Sequence, residues 1–145
     1  MESVTSLLKK TLVEVAPETF TLVSLSHENW LKLLENPELS PRMTAPFMIF
    51  KERFGTTLLL DEADFAAVRR AIFDAKIEGN FRLVTFDIEL RFSVVGFLAL
   101  IAKILAEAEI PILALSAFSR DHLLIKQNDL AKALKVLGEH IDDVC

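Results

Sequence analysis

Pro46-Phe47-Met48-Ile49-Phe50 opens a stretch whose pattern returns 65 residues later as Pro111-Ile112-Leu113-Ala114-Leu115. In the first stretch a turn follows at Arg53-Phe54-Gly55, then an apolar run Thr57-Leu58-Leu59-Leu60, then an acidic-started helix pattern from Asp64 to Val68. In the second, Phe118-Ser119-Arg120 is the turn, His122-Leu123-Leu124-Ile125 the strand, and Asp129 to Ala133 the helix. An earlier strand repeats at offset 61, with Phe20-Thr21-Leu22-Val23 against Phe81-Arg82-Leu83-Val84. A repeat on this scale divides the 145 residues into two small copies of one supersecondary unit.

Working outward, residues 3 to 15 read as a helix with Leu7, Leu8, Leu12 and Val15 on one side, ended by Pro17. Phe20 to Ser26 is the first strand. Glu28 to Arg42 gives one or two helical turns around Trp30, Leu31, Leu33 and Leu34 before Asn36-Pro37 and Ser40-Pro41 break the pattern. Pro46 to Glu52 and Thr56 to Leu60 form a hairpin around Gly55. Asp61 or Glu62 then starts a helix with a buried stripe of Phe65, Val68 and Ile72.

Glu78-Gly79-Asn80 is the clearest internal boundary. Beyond it, Val84, Phe86, Ile88 and Leu90 alternate with Thr85, Asp87 and Glu89, the period of a strand covered on one face. Ser93 can cap the next helix, which is apolar nearly all round through Val94, Val95, Phe97, Leu98, Leu100, Ile101, Ile104 and Leu105. Such a helix is buried on more than one face, so a second copy of the unit is expected against it. Asn128 can cap the final helix, with its stripe at Leu130, Leu134, Leu137 and Ile141.

Each copy therefore reads β-α-β-β-α. The expected fold is α+β, two ferredoxin-like βαββαβ modules with antiparallel sheets and helices on one face. The expected division is an N-terminal helix at 1–15, a first module at 16–78 and a second at 79–145. Six strands are clear where two full copies need eight. The closing strands are missing, or the long Phe81–Leu90 strand serves both copies, or the N-terminal segment contributes.

Composition narrows the function. The net charge is −5 and no run of Lys and Arg carries aromatics, so nucleic acid and anionic membrane surfaces are not expected partners. The longest apolar run, Val94 to Ala102, is far short of the ~20 residues of a spanning helix. No signal peptide pattern is visible at Met1-Glu2-Ser3-Val4, and the only cysteine is Cys145. A cytoplasmic setting follows by elimination. A hydrophobic content of 52% and a mean hydropathy of +0.38 leave apolar surface for a partner. Phe97, Leu100 and Ile104 are where a homodimer contact is expected.

The residues of the second copy resemble an ACT domain of the CASTOR-type subset. The resemblance rests on the strand Phe81–Leu90, the loop Arg91-Phe92-Ser93-Val94-Val95-Gly96-Phe97, the helix ending Ala106-Glu107-Ala108-Glu109-Ile110-Pro111, the strand Ile112 to Phe118, and Asp121-His122-Leu123-Leu124-Ile125. The first copy resembles the companion module of small bacterial tandem-ACT proteins through Ala45-Pro46-Phe47 and Phe50 to Leu58. The resemblance spans roughly residues 15 to 140. It implies a regulatory module that binds a small molecule, most often an amino acid, where two copies meet.

The loop before Gly96 has a rationale of its own. It leads into a helix N-terminus, where unpaired N–H groups and the helix dipole favour an anion such as a carboxylate. Gly96 allows close approach of backbone. Many ACT domains carry Asp or Asn in this loop, where Arg91 and Ser93 stand here. Asp121 is the carboxylate that remains for a ligand ammonium, and the resemblance places the matching aspartate of the family at the ligand. Phe118 supplies a wall. The expected ligand site is thus Ser93, Val94, Val95, Gly96, Phe97, Phe118 and Asp121. The plainer alternatives are helix packing for Gly96, a cap for Ser93 and a turn for Asp121. The matching loop of the first copy, Ser26-His27-Glu28-Asn29-Trp30, lacks glycine and reads as a degenerate site.

No catalytic set stands out. His27, His122 and His140 have no metal-ligand spacing. Asp121 and His122 are strand neighbours and point to opposite faces. Asp87 and Glu89 share a strand face that reads as solvated. Four glycines make no phosphate loop. The expectation is a non-enzymatic sensor without cofactor or metal, acting on a regulated protein target through linkage between bound ligand and module arrangement. The alternative is a ligand-free interaction or dimerisation module.

Overall fold

The computed structural model describes residues 3–144. In chain order the elements are α1 (Val4–Lys9), β1 (Leu12–Val15), β2 (Phe20–Leu25), α2 (His27–Leu34), β3 (Met48–Glu52), β4 (Gly55–Asp61), α3 (Glu62–Arg69), β5 (Lys76–Asp87), α4 (Phe97–Glu107), β6 (Leu113–Ser116), β7 (Asp121–Lys126), α5 (Leu130–Gly138) and β8 (Asp143–Val144). Short 3₁₀ turns lie at Pro37–Leu39 and Gln127–Asp129. The 65-residue repeat holds: β3 and β4 recur as β6 and β7, and both hairpins are antiparallel. The fold is α+β and ferredoxin-like.

The chain forms two compact units. The first module is Glu18–Asn80. The second runs from Phe81 onward and also takes in the N-terminal segment up to Pro17. The boundary therefore falls between Asn80 and Phe81. β5 runs through Glu78-Gly79-Asn80 without a break, and Asn80 absorbs the transition with φ 66°. A non-glycine residue adopts that left-handed conformation at little cost only when it is Asn or Asp.

In the first module β2 pairs antiparallel with β4 and β4 with β3. Val23 lies opposite Leu58 on the face that α2 and α3 cover, and these two with Leu25, Leu60 and Val68 form the core. Trp30, Leu33 and Phe65 pack on it. Asp61 caps α3, its Oδ1 accepting from the Asp64 N–H at 2.9 Å.

In the second module the strand order is β6-β7-β5-β1-β8, antiparallel but for the β1–β8 pair. Val13, Val84, Phe86, Leu123 and Ile125 carry the buried face, and Phe97, Ile101 and Leu105 of α4 lie on it with Ala133 and Leu137 of α5. Phe86 and Phe97 meet edge to face, 6.2 Å between centroids.

The expected helix over residues 3 to 15 is corrected. It ends at Lys9, and Leu12–Val15 is a strand paired with β5. Thr11, Val13 and Val15 are β-branched and alternate with Leu12 and Glu14, which suits a pleated strand better than a helix. Thr11 also turns the chain out of the helix, its Oγ1 donating to the Leu7 carbonyl at 2.7 Å. The leucine stripe misled because Leu7 and Leu8 belong to one element and Leu12 and Val15 to another. The N-terminal segment thus supplies a strand of the second module.

The all-apolar helix α4 needs no second copy to cover it. Leu8 of α1 is 1% exposed in the same core, with Val4 and Leu7 packed beside it. Phe97 and Ile104 are buried in this module. Neither is available as the homodimer surface the sequence pointed to.

Two expected caps move as well. α4 begins at Phe97, so its N-cap is Gly96 and not Ser93. Asn128 lies inside the 3₁₀ turn that leads into α5, whose N-cap is Asp129. At its C-terminal end α4 closes with the Ile110 N–H donating to the Leu105 carbonyl at 3.0 Å, and Glu109 takes φ 60° between them. That is a Schellman ending with a non-glycine residue in the left-handed place.

Candidate functional site

Gly96 sits at φ 91° and ψ 1°, and no side chain caps the helix it starts. A non-glycine residue would be strained there. Space does not explain the glycine, because an added Cβ would meet only Val4 Cγ1 at 4.0 Å. The glycine serves the backbone path. The chain leaves β5 at Asp87, makes a turn closed by the Val94 N–H on the Arg91 carbonyl at 3.0 Å, and enters α4 with its first N–H groups pointing out of the helix.

The β6–β7 hairpin faces this helix end. Its loop is closed by the Ala117 N–H on the Arg120 carbonyl at 2.9 Å, and the Leu90 N–H donates to the Ser119 carbonyl at 2.8 Å. That second bond ties the hairpin loop to the segment after β5. Between them lies a cleft of about 340 Å³, within the size range of small-ligand sites.

Five of the seven expected residues line this cleft: Val94, Gly96, Phe97, Phe118 and Asp121. Ser93 and Val95 do not. Val95 is 85% exposed, and Ser93 is exposed as part of the turn. Phe118 is fully exposed at the rim, and so is Phe92.

Asp121 pairs with Phe86 in register, and so shares the helix-covered face of the sheet. Its Oδ1 accepts from Ser116 Oγ at 2.7 Å, across the hairpin. His122 is on the opposite face, with its Nδ1 2.8 Å from Thr85 Oγ1. The two side chains have different partners, as strand neighbours must. Burial pushes the His122 imidazolium below its ordinary pKa; Asp121 acts the other way and Arg120 adds to the lowering.

Arg120, next to Asp121 in the chain, commits its guanidinium to Asp87 on the other face of the sheet. Arg120 Nε donates to Asp87 Oδ1 at 2.9 Å, and that bond raises the Arg120 pKa further. Asp87 is therefore held in an ion pair. Arg91 lines the cleft from the turn. The site joins outward backbone N–H groups and Arg91 on the helix side with the Asp121 carboxylate on the hairpin side. Among the described residues no group of three or more His, Cys, Asp or Glu is placed to hold a metal.

Sequence reasoning missed Ser116 and Arg120. Both follow from the hairpin register, in which Ser116 lies opposite Asp121; the four-residue loop between them was the available signal.

The matching helix start in the first module is closed. Ser26 Oγ accepts from the Asn29 N–H at 3.1 Å, and buried Asn29 donates through Nδ2 to the Phe73 carbonyl at 2.6 Å. α2 spends its N-terminus on its own side chains, whereas α4 does not.

Residues 76–139 match the family model of the ACT domain. The matched segment holds the whole cleft, from Leu90 to Asp121. Solved structures extend the likeness to the fold of nearly the full chain. A protein from Agrobacterium tumefaciens has a TM-score of 0.69 at 15% identity, over 94% of this chain and 92% of that one. A protein of unknown function from Vibrio cholerae, described as a possible transport protein, has a TM-score of 0.68 at 22% identity, over 94% of each chain. The regulatory subunit of aspartate kinase from Thermus thermophilus, in its ligand-free form, has a TM-score of 0.65 at 12% identity, over 88% of this chain and 95% of that one. At such identities these likenesses establish the fold. No curated protein sequence matches the chain significantly. No helix among the described residues is long and apolar enough to cross a membrane.

Proposed function

We propose that this chain is a regulatory protein that binds one free amino acid, or a similar small zwitterion, in the second-module cleft. The observation that carries the reading is the pairing of an uncapped helix N-terminus at Gly96 with the Asp121 carboxylate across one cavity. The α-carboxylate would take the N–H groups of Phe97 and Leu98, where the helix dipole adds to the attraction. The α-ammonium would take the oxygens of Asp121, already oriented by Ser116. A charge-assisted contact at each end fixes both position and polarity of the ligand.

The capped start of α2 supports one site per chain, with the first module as scaffold. The proposal keeps the cytoplasmic setting expected from composition, a non-catalytic role, and a place within the CASTOR-type subset of ACT proteins. It acts by linkage: a ligand that binds one arrangement of modules better than another shifts the population towards it, and a regulated protein target reads the shift.

The exposed rim favours a covered site. Phe92 and Phe118 stand in solvent around the mouth, and an apolar rim is the mark of a partner surface. We assign the partner as a second copy of the chain. In a thermal-shift screen of the twenty amino acids at millimolar concentration, one or a few should raise the melting temperature, and Asp121→Asn should reduce the rise. Sedimentation should show a dimer weakened by Phe118→Ser. No stabilisation by any amino acid would leave the ligand-free interaction module as the reading.

A further inference from the structure

The first module contains a recess that the repeat does not announce. It lies on the helix-covered face of the sheet, under the segment that joins α2 to β3, and measures about 210 Å³. Leu58, Leu60 and Val68 form its floor, each at most 2% exposed. Trp30 stands at one wall, and the 3₁₀ turn with Pro37 and Pro41 forms the roof. Of the lining side chains, only the Ser40 hydroxyl and the Trp30 indole carry polar atoms.

Apolar space of this size normally collapses, because the atoms around it forgo their dispersion contacts. Here the roof is held off the floor. Two prolines fix the backbone at its ends. The Ser40 N–H donates to the Pro37 carbonyl at 3.1 Å, and Asn36 Nδ2 to the Lys32 carbonyl at 2.6 Å. Beyond the roof, Arg42 is pinned to α3. Its backbone N–H lies 3.2 Å from both oxygens of Asp64, and its Nε donates to Oδ1 at 3.0 Å. Asp64 is only 5% exposed. A buried carboxylate is thus committed to fixing a loop above an apolar floor.

We propose that this recess is a binding site for a small uncharged apolar molecule, a single aromatic ring or a compact branched hydrocarbon group. No charged side chain lines it, so a zwitterion would lose its hydration without compensation. Enclosed apolar cavities of about 150 Å³ take up benzene-sized molecules, and this recess, open to solvent beside Leu34 and Ile49, offers a similarly apolar lining. The ligand class therefore differs from that of the second-module cleft, and the inference does not depend on that cleft being used.

Trp30 is the only tryptophan and the chain has no tyrosine, so its emission reports directly on the recess. Toluene is the probe. The expected result is a saturable change in Trp30 emission together with a saturable rise in melting temperature, both lost in Val68→Phe, which fills the space. A change that grows without saturating, or one that survives in Val68→Phe, overturns the proposal. Should that variant not fold, amide chemical shifts of the unaltered protein decide the matter. Toluene should move the signals of Leu33, Ser40 and Val68 and leave those of Gly96 and Asp121 in place. Shifts scattered over both modules, or none, overturn it.

Discussion

Leu8→Ala is the sharpest probe of how the N-terminal segment is used. Leu8 lies in a six-residue helix that the chain could easily have left loose at its end. It is instead 1% exposed, within a core cluster that includes Val13, Phe86, Ile101 and Leu105. Truncation to alanine removes three carbons. At about 0.8 kcal/mol per buried methylene the transfer loss alone is about 2.4 kcal/mol. The cavity left under α1 raises the total to roughly 3–4 kcal/mol, inside the range of buried Leu→Ala changes. For a chain of this size that lowers the melting temperature by roughly 10 °C. Far-UV circular dichroism against urea and temperature measures it, with Leu34→Ala as the control, since Leu34 is 58% exposed. Surface changes of that kind stay within about 0.5 kcal/mol. If Leu8→Ala is as mild as the control, α1 does not belong to the core of the second module, and the reasoning that joins residues up to Pro17 to it fails.

Other outcomes follow from the same geometry. Gly96→Ala should fold and cost about 1–2 kcal/mol in chemical denaturation, from strain at φ 91° with no clash. Gly55→Ala should cost more, because its Cβ would come 2.8 Å from the Leu25 carbonyl oxygen. Glu109→Gly should stabilise the protein by about 1 kcal/mol, by relieving the left-handed residue at the end of α4. His122 has a lowered pKa in the fold, so below its ordinary value of 6.5 the unfolded chain binds the proton first. Its contribution is complete above pH 6.5, shrinks as the pH falls from there to the folded-state pKa, and is constant below that. His122→Asn should remove this part of the acid-side loss of stability, read as the difference between the two denaturation profiles across pH.

The strand–turn–strand–helix part of the fold was legible because both periods and both turns recur at one offset. Hairpin turns at Gly55 and at Phe118-Ser119-Arg120 carry the signal locally. The N-terminal strand was not legible. Leu12 and Val15 fit a helical stripe as well as a strand, and only pairing with Asp87 and Val84 decides between them. The source of the extra apolar cover on α4 was hidden for the same reason, since α1 comes from the far end of the sequence. The cleft was legible in part. Gly96 and Asp121 could be named from type and place, but Ser93 was misjudged as a cap because Gly96 is better suited to end the turn. Ser116 and Arg120 needed the cross-strand register. The recess under Pro37–Pro41 had no sequence signal, for it depends on the Arg42–Asp64 link between residues 22 apart.

The central claim is that one module binds and the other holds it in place. Titration calorimetry with the amino acid that stabilises the protein most tests it directly, on the unaltered chain and on Asp121→Asn. The amide in that variant retains the shape of the carboxylate side chain and loses its charge. The account predicts close to one site per chain, and an affinity weaker by roughly 10- to 100-fold in the variant, as befits one charged hydrogen bond lost. Two equal sites per chain, or an affinity unchanged by Asp121→Asn, would contradict it.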